Sequence, residues 1–320
     1  MVRHAKVRSL AKINLDLRVL HKRQDGFHEL RSVFQTISLA DTIEIDFELA
    51  RKTELILDDA LAIPNNLVTR AAASVLEAMR VKARVKFRLL KNIPMGGGLG
   101  GGSSNAAAVL LALPVLGGRR LDLGTLSELG SQLGSDVPFF LTGGTALGIG
   151  RGTELYQLPD IQPEPLMIVC PTVHSSTAEA YRALNRGLTV TGSSTIINSF
   201  RAYVRELGEV RSAGAAGPLS ANDFEAAICL QHPQLKSLPG KLRRLGAVEA
   251  RMTGSGSAFY AVFPSRRKRD LALEGWQRSR GSFPAVAAEI VSQRRYQTLW
   301  RTQLRDHVTG EAIWPPQSKY

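Results

Sequence analysis

A chain of 320 residues, 44% of them apolar, is long enough to bury one large hydrophobic core or two ordinary ones. No run of about eighteen apolar residues occurs, so we expect no membrane span, and two cysteines are too few for a zinc cluster and indicate a reducing, cytoplasmic compartment. The net charge of +13 lies in short patches without interleaved aromatic residues, which favours a basic solvated surface over a nucleic-acid interface.

The first predicted element is a strand over residues 11–20, in which apolar and polar side chains alternate. Its polar face carries Lys12, Asn14, Asp16 and Arg18. This face is either the exposed side of an ordinary strand or a row of side chains that point into a cleft, and the alternation alone does not decide between them. An Asp-Gly turn follows at Asp25, and further strands are predicted at 27–35, 43–47, 54–57 and 85–89.

Two polar positions adjoin these elements. A helix that runs to residue 79 is predicted to take its N-cap from Asn65 or Asn66. Lys91 follows the strand at 85–89, directly before a glycine-rich stretch. Its ammonium group is interpreted either as a nucleotide contact or as an ordinary solvated charge.

The strongest functional signal is the glycine-rich stretch from Pro94 to Ser104, in which six residues are glycine. Glycines let backbone N–H groups approach an anion closely, and a following helix adds positive partial charge at its N-terminus. Alanines and leucines continue to residue 113, so we predict a helix capped by Ser103 or Ser104 and ended by Pro114. The stretch is therefore interpreted as a phosphate-binding loop, with a flexible linker as the less favoured alternative.

Two common phosphate-loop patterns fit this stretch poorly. A P-loop needs a lysine after its last glycine, and none follows here. The dinucleotide pattern matches as a string from Gly96 to Gly101, with Asp122 at about the expected distance. However, Asp122 directly precedes a capping box from Thr125 to Glu128, which predicts a connection between helices and not the end of a strand.

A capped helix is predicted over residues 125–133 and ends at Gly134. Asp136 follows, between a glycine and an apolar run, where an acidic residue is typical of a helix N-cap. A turn is predicted at 143–146 and a second glycine-rich bend at 148–152.

The second half of the chain begins after three prolines within residues 159–165, which predict a domain boundary. We expect a first domain over 1–160, a second over 161–300 and a tail over 301–320 to which the sequence assigns no role. Predicted elements of the second domain are a strand at 166–170, helices from 176, at 193–207 and at 222–230, and a strand, glycine turn and strand at 250–260.

Several stretches, in order along the chain, resemble the GHMP kinase family. They are Ala11-Lys12-Ile13-Asn14-Leu15, the loop from Pro94 to Ala107, Gly134-Ser135-Asp136-Val137-Pro138, and Met252-Thr253-Gly254-Ser255-Gly256-Ser257. The resemblance implies an α+β, two-domain fold, with an N-terminal domain like domain 2 of ribosomal protein S5 and a ferredoxin-like C-terminal domain. It also implies ATP and Mg²⁺ as cofactors, with Asp136 as the base that accepts a substrate hydroxyl proton or orients the hydroxyl.

Within that family, Asp25-Gly26-Phe27-His28-Glu29-Leu30 and the long glycine stretch resemble one branch. That branch phosphorylates the 2-hydroxyl of 4-diphosphocytidyl-2-C-methyl-D-erythritol in the non-mevalonate isoprenoid pathway. The usual aromatic residue of the branch is tyrosine, so Phe27 keeps the ring and lacks the hydroxyl. The implied partners are this small cytidyl diphosphate substrate and ATP, in a monomer or weak homodimer without membrane contact.

The resemblance also implies roles for individual residues. The implied catalytic residues are Lys12 and Asp136. The residues implied or considered for ATP are Asn66, Lys91, Pro94, Met95, Gly96, Gly97, Gly98, Leu99, Gly100, Gly101, Gly102, Ser103 and Ser104. The implied substrate-binding residues are Asn14, Phe27, His28, Thr253 and Gly254. A hydroxyl of Ser103 or Ser104 is a candidate for Mg²⁺, whose ligands stay unassigned.

Two other functions remain open from the sequence. The first is a different GHMP kinase, acting on homoserine or mevalonate, although the string from Asp25 to Leu30 argues against it. The second is a non-enzymatic, basic nucleic-acid-binding protein, because the N-terminal half of this fold resembles ribosomal domains. A steep salt dependence of RNA binding without ATP turnover would distinguish that protein from a kinase.

Overall fold

The computed structural model describes residues 1–173, 177–184, 221–279, 283–311 and 313–320. The helix predicted at 193–207 lies outside these residues. The strands that the structure describes are β1 (Arg3–Lys22), β2 (His28–Leu49), β3 (Glu54–Asp59), β4 (Ala83–Leu90), β5 (Thr145–Gly150), β6 (Glu154–Leu158), β7 (Pro165–Val169), β8 (Glu249–Met252), β9 (Phe259–Val262) and β10 (Ala285–Glu289). The helices are α1 (Leu67–Ala78), α2 (Gly101–Gly117), α3 (Leu123–Leu133), α4 (Val137–Thr142), α5 (Thr177–Ala183), α6 (Asp223–Gln231), α7 (Leu238–Arg244), α8 (Arg266–Arg278) and α9 (Gln293–Gln303).

Two sheets form the framework of the described residues. The first has the strand order β3-β4-β2-β5-β6, and β1 also pairs along β2. β3 and β4 are parallel, whereas the other neighbours in this sheet are antiparallel. The second sheet has the order β10-β7-β9-β8, and all its pairs are antiparallel. The mixture of helices with largely antiparallel strands confirms the predicted α+β class.

The long strand β1 contributes side chains to three hydrophobic clusters. Val7 lies in the first core, which packs the first sheet against α1, α2 and α4. Ile13 lies in a cluster between the two sheets, together with Ile168 of β7. Val19 lies in the second core, which packs the second sheet against α6, α7 and α8. Because one strand enters all three clusters, the two sheets are joined by continuous backbone as well as by packing.

The helix after the glycine stretch differs from the prediction at both ends. Its N-cap is Gly100, which has a φ of 71°, so neither Ser103 nor Ser104 caps it. Pro114 lies inside the helix and does not end it. The helix ends at Gly118 instead, because glycine adopts the left-handed conformation of a C-cap without a Cβ clash.

Three further predictions about local structure need correction. The capping residue of α3 is Asp122, which accepts the Thr125 N–H at 2.8 Å, so the helix starts before Thr125. The strands predicted at 27–35 and 43–47 form one continuous strand, β2. The bend predicted at 148–152 is partly strand β5, where Gly148 is required because a Cβ there would lie 2.4 Å from the Phe34 ring.

Several predicted boundaries agree with the structure. Asn66 caps α1 by accepting the Val68 N–H at 3.0 Å, and Asn222 caps α6 by accepting the Phe224 N–H at 3.0 Å. Gly134 ends α3, and the strand, glycine turn and strand appear as β8 and β9. Among the described helices, none combines the length and the apolar run needed to cross a bilayer.

Candidate active site

A cleft of about 1000 Å³ opens between the two halves of the chain. Its walls come from β1, the turn into β2, the glycine stretch, the start of α4, α5 and the turn between β8 and β9. Residues predicted for the site that line it are Lys12, Asn14, Phe27, His28, Gly96, Gly98, Gly100, Asp136 and Gly254. The structure therefore gathers predicted residues that lie more than two hundred positions apart in the sequence.

The glycine stretch forms one wall of the cleft and is held by its backbone. The Gly97 carbonyl accepts the Ala258 N–H at 3.3 Å, and the Leu99 carbonyl accepts the Lys12 N–H at 3.0 Å. Gly98 has a φ of 73°, and a Cβ on it would lie 2.4 Å from the Thr253 carbonyl oxygen. Only glycine fits there, because both the backbone conformation and the space exclude a side chain.

The start of α2 directly continues the glycine stretch. Its N-cap, Gly100, has no side chain, and no side-chain cap is found for this helix within the described residues. The first N–H groups of a helix have no partner inside the helix, and they carry positive partial charge. This helix start is therefore suited to bind an anion such as a phosphate.

Lys12, Asn14 and Asp136 form the polar centre of the cleft. The Lys12 Nζ donates to Asn14 Oδ1 at 2.7 Å and lies 3.4 Å from Asp136 Oδ2. The Lys12 side chain is 4% exposed, whereas that of Asp136 is 32% exposed. Asp136 occupies the N-cap position of α4, but its side chain makes no capping hydrogen bond within the part of the chain described. The carboxylate thus faces the lysine and the open cleft, and on the polar face of β1 the side chains of Lys12 and Asn14 line a cleft and are not solvated.

Neighbouring side chains fix the position of Asn14. Its backbone N–H donates to Thr253 Oγ1 at 2.9 Å, and its Nδ2 donates to Ser32 Oγ at 2.6 Å. Ser32 donates in turn to the carbonyl oxygen of Asp16 at 2.7 Å. Thr253 is fully buried, so it contacts Asn14 and does not line the cleft. The pairing of β1 with β2 shifts register next to Asn14, a kind of irregularity that re-aims side chains beside active sites.

Aromatic rings line another part of the cleft. The His28 ring stacks on Tyr181 with centroids 4.6 Å apart, and Tyr181 meets Phe224 edge-on at 4.9 Å. The Phe27 ring is half exposed and lies 3.8 Å from the Arg151 guanidinium carbon. Burial, followed by the charge of Lys22, lowers the pKa of His28, so its imidazole is neutral at pH 7. Flat, apolar surfaces of this kind suit a stacked ring.

Three residues predicted for ATP make other contacts and do not line the cleft. Lys91 donates to the buried carboxylate of Asp41. Asn66 caps α1 and donates from its Nδ2 to a carboxylate oxygen of Asp59 at 3.0 Å. The Ser104 hydroxyl donates to the Leu10 carbonyl oxygen at 2.6 Å. These side chains support the glycine stretch and α1 from behind.

The remaining predicted loop residues differ in exposure. Leu99 is buried in the cluster between the sheets, whereas Met95 is exposed and Pro94 half-buried at the entry to the loop. Gly101, Gly102 and Ser103 form the first turn of α2 and do not line the described cleft.

Sequence reasoning missed several residues that line the cleft. They include Lys22, Ser135, Arg151, Tyr181, Arg182 and Phe224. Tyr181 lies in a helix of the second half of the chain, and no local pattern connects it with His28. Arg151 lies within the segment 148–152 that was predicted as a bend, and the sequence does not indicate where its side chain points.

Family models cover two parts of the chain. The model of the GHMP kinases N terminal domain matches residues 66–144, and the model of the GHMP kinases C terminal domain matches residues 202–282. A 4-diphosphocytidyl-2-C-methyl-D-erythritol kinase of Solibacter usitatus is 52% identical over 99% of this chain and 98% of that protein. The kinase of the same name from Thermotoga maritima is 39% identical over 81% of this chain and 92% of that protein.

Solved structures agree with these sequence matches. The crystal structure of a 4-(cytidine 5'-diphospho)-2C-methyl-D-erythritol kinase superposes with a TM-score of 0.73 at 34% identity and covers 91% of this chain and 99% of that one. Homoserine kinase from Cytophaga hutchinsonii superposes with a TM-score of 0.66 at 18% identity, over 91% of this chain and 96% of that one. At that identity the second match concerns the fold alone.

Proposed function

This chain belongs to the GHMP kinase family, and we propose that it transfers the terminal phosphoryl group of ATP to the 2-hydroxyl of 4-diphosphocytidyl-2-C-methyl-D-erythritol. The observation that carries the proposal is the pairing of Lys12 with Asp136 next to the uncapped start of α2. A kinase of that name with a solved structure is 34% identical to this chain. Another, which matches over nearly the full length, is 52% identical. A homoserine kinase and two mevalonate kinases of known structure are 16–18% identical to this chain, so they support the fold and not a substrate.

Phosphoryl transfer depends mainly on alignment and on the placement of charge. We infer that the backbone N–H groups of residues 97–104 hold the ATP phosphates at the start of α2. The buried ammonium group of Lys12 stabilises negative charge that develops on the substrate oxygen. Asp136 lies beside it and accepts the hydroxyl proton or orients the hydroxyl. The Asn14 Oδ1 accepts a hydrogen bond from the Lys12 ammonium group and so holds it between the substrate oxygen and Asp136.

The residues present are compatible with Mg²⁺. No cluster of three or more metal-ligating carboxylate, imidazole or thiol side chains occurs among the described residues. Mg²⁺ in kinases takes most of its ligands from phosphates and water, so it does not need such a cluster. We propose Ser103 as the hydroxyl nearest to the ion's place, because Ser104 is committed to the Leu10 carbonyl. When bound, the ion neutralises charge on the phosphates.

The aromatic part of the cleft is our proposed site for the cytidine base. A pyrimidine ring would stack on the faces of Phe27, His28 or Tyr181. Lys22 and Arg151 line the same cleft and carry the positive charge that a diphosphate requires. Thr253 supports this site through its hydroxyl, which accepts the Asn14 backbone N–H, and Gly254 lines the wall of the cleft.

We further propose that the protein acts in the cytoplasm as a monomer or weak homodimer. In this proposal, residues 1–160 bind ATP, and residues 161–300 close the substrate side of the cleft. The boundary lies at the proline-rich connection between β6 and β7, where the chain passes from the first sheet to the second.

A coupled ADP-release assay tests the function. We expect turnover with 4-diphosphocytidyl-2-C-methyl-D-erythritol to exceed that with mevalonate or homoserine by roughly 10²-fold or more, because a site built for polar groups discriminates against ligands that lack them. Asp136→Asn should lower kcat by about 10²- to 10⁴-fold while an ATP analogue still binds. Equal turnover of mevalonate would contradict the proposed substrate. Salt-dependent RNA binding without ADP release would instead favour the nucleic-acid alternative.

A further inference from the structure

The chain after β10 returns to the first core and runs along the ends of two helices. This C-terminal segment comprises residues 293–320, of which the structure describes all but 312. Tyr296 Oη donates to the Phe140 carbonyl oxygen, and Trp314 Nε1 donates to that of Leu141 at 3.0 Å. Both acceptors lie in the last turn of α4. The Ser318 hydroxyl donates to the Val115 carbonyl oxygen, in the last turn of α2, at 2.7 Å.

These contacts satisfy groups that the helices cannot satisfy themselves. The last four carbonyls of a helix have no partner within it, and a buried carbonyl without a partner is costly. Phe140 and Leu141 are fully buried, so water does not replace the missing donors. Burial raises the pKa of Tyr296, which keeps its hydroxyl protonated and able to donate.

The turn after α4 is also fitted to the C-terminal segment. Gly143 has a φ of 64°, and a Cβ on it would lie 2.5 Å from the Tyr296 ring. A Cβ on Gly144 would lie 2.6 Å from Gln293. The end of α4 therefore lies in direct contact with the first turns of α9, with no space for movement toward it.

The other ends of the same two helices lie at the cleft. Asp136 is the N-cap of α4, a helix of only 6 residues, and Gly100 is the N-cap of α2. A helix of 6 residues is less than two turns and about 9 Å long, so its C-terminal end lies close enough to its N-cap for a shift at one end to reach the other. A misplacement of about 1 Å at a catalytic group costs roughly 10²-fold in rate.

We propose that the C-terminal segment sets the position of Asp136 relative to Lys12 by holding the C-terminal end of α4. Tyr296 and Trp314 are then positioning residues, because they act through α4 and do not touch the substrate. The inference rests on the proposed kinase function. A segment that only stabilises the first core is the alternative, and it would change stability without changing turnover.

The test removes the Tyr296 hydrogen bond without removing its ring, and it removes the Trp314 hydrogen bond while an aromatic ring is kept. Tyr296→Phe should lower kcat for phosphorylation by about threefold, and Tyr296→Phe combined with Trp314→Phe by about tenfold, because α4 loses one or both holds. The KM for ATP should stay within about twofold of the wild-type value, since the glycine stretch is untouched. Tyr260→Phe is the matched control, because Tyr260 is equally buried and its hydroxyl has no partner among the described residues.

Three outcomes would overturn the inference. One is a double variant that remains folded, has a lower urea midpoint and keeps kcat within about twofold of wild type. Another is an equal loss of kcat in Tyr260→Phe. If wild type does not phosphorylate the cytidyl substrate, the proposed function fails separately, and amide hydrogen exchange over residues 139–144 provides the readout. Tyr296→Phe should accelerate that exchange, and an unchanged rate would be the third contrary outcome.

Discussion

Asp16 lies two positions after Asn14 on the polar face of β1, and it is as buried as Lys12. Its Oδ1 accepts the Ala221 N–H at 3.1 Å and the Arg18 Nε–H at 3.3 Å. Its Oδ2 has no hydrogen-bond partner among the described residues. Burial raises the pKa of Asp16 to about 6, against the opposing charges of Arg18 and Arg31. β1 therefore carries a buried carboxylate that destabilises the fold when charged.

This burial predicts a pH dependence of stability. The folded pKa of about 6 exceeds the ordinary value of 3.8, so between these values the folded protein binds one proton more than the unfolded chain. The free energy of unfolding should therefore fall as the pH rises from about 4 to about 6, and the loss is complete above that range. Asp16→Asn lacks this titration, so its stability relative to wild type should rise by about 2 kcal/mol from pH 4 to pH 7.

Urea unfolding at several pH values measures this difference for Asp16→Asn. Asp270→Asn removes an exposed carboxylate and serves as the control, which should keep the wild-type dependence. A difference between Asp16→Asn and wild type that does not vary with pH would contradict the prediction.

The sequence supported the central polar residues of the site better than its aromatic wall. Lys12, Asn14 and Asp136 each lie in a motif with a recognisable order, and the structure brings their side chains together. Tyr181 stacks on His28 only because α5 packs near the turn into β2, a contact that no local pattern encodes. Asp16 was visible on the polar face, but its burial depends on tertiary packing.

Some features of the glycine stretch follow from its own composition, and others follow from contacts with neighbouring elements. The composition predicted a loop that leads into a helix, which is confirmed. The left-handed conformation of Gly98 and Gly100 was not predictable, because it follows from the neighbouring Thr253 carbonyl and Phe140 ring. Pro114 was wrongly predicted to end α2, since the local rule for proline does not account for a helix buried on almost every side.

A single methyl group at Gly98 tests this close approach. Gly98→Ala should lower the free energy of unfolding by about 1–3 kcal/mol and weaken binding of an ATP analogue, because the backbone must leave its left-handed conformation or the Thr253 carbonyl must move. Gly240→Ala is the matched control in α7, where a Cβ would meet nothing within 4 Å. It should gain roughly 0.5–1 kcal/mol from helix propensity.

Thermal unfolding and equilibrium binding measure both glycine variants. A Gly98→Ala protein that unfolds and binds the analogue like wild type would show that the loop tolerates a side chain there. A loss of stability in Gly240→Ala would show that the backbone argument itself is incomplete.

At the scale of the whole molecule, β1 and β2 connect the two bodies, because both strands run through the first sheet and continue past the second. Leu17 of β1 forms a bridge with Asn222, and Ile37 of β2 forms one with Ile290. Asn222 also donates to the carbonyl oxygens of Met252 and Gly254 at 3.0 and 2.8 Å. The sequence predicted two bodies and the proline-rich connection, but not strands of 20 and 22 residues that couple them.

Shared strands predict cooperative unfolding of the two bodies. Trp276→Phe weakens the second core. The two remaining tryptophans, Trp300 and Trp314, pack with the first core and report on it. The fluorescence of these two tryptophans and the far-UV circular dichroism of the whole chain should still report the same urea midpoint. The reason is that β1 cannot unfold from one core while it stays packed in the other. Circular dichroism that changes in two steps, with fluorescence following only the later step, would contradict this expectation.

The order of synthesis gives the packing of α9 a further consequence. Tyr296, Trp300 and Leu304 complete the first core, yet the ribosome adds them after nearly all other residues of that core. A nascent chain long enough to contain the glycine stretch and Asp136 still exposes the apolar surface that these three side chains cover. Folding of the first body should therefore be finished only after translation has passed the second, the reverse of the usual N-terminal-first order.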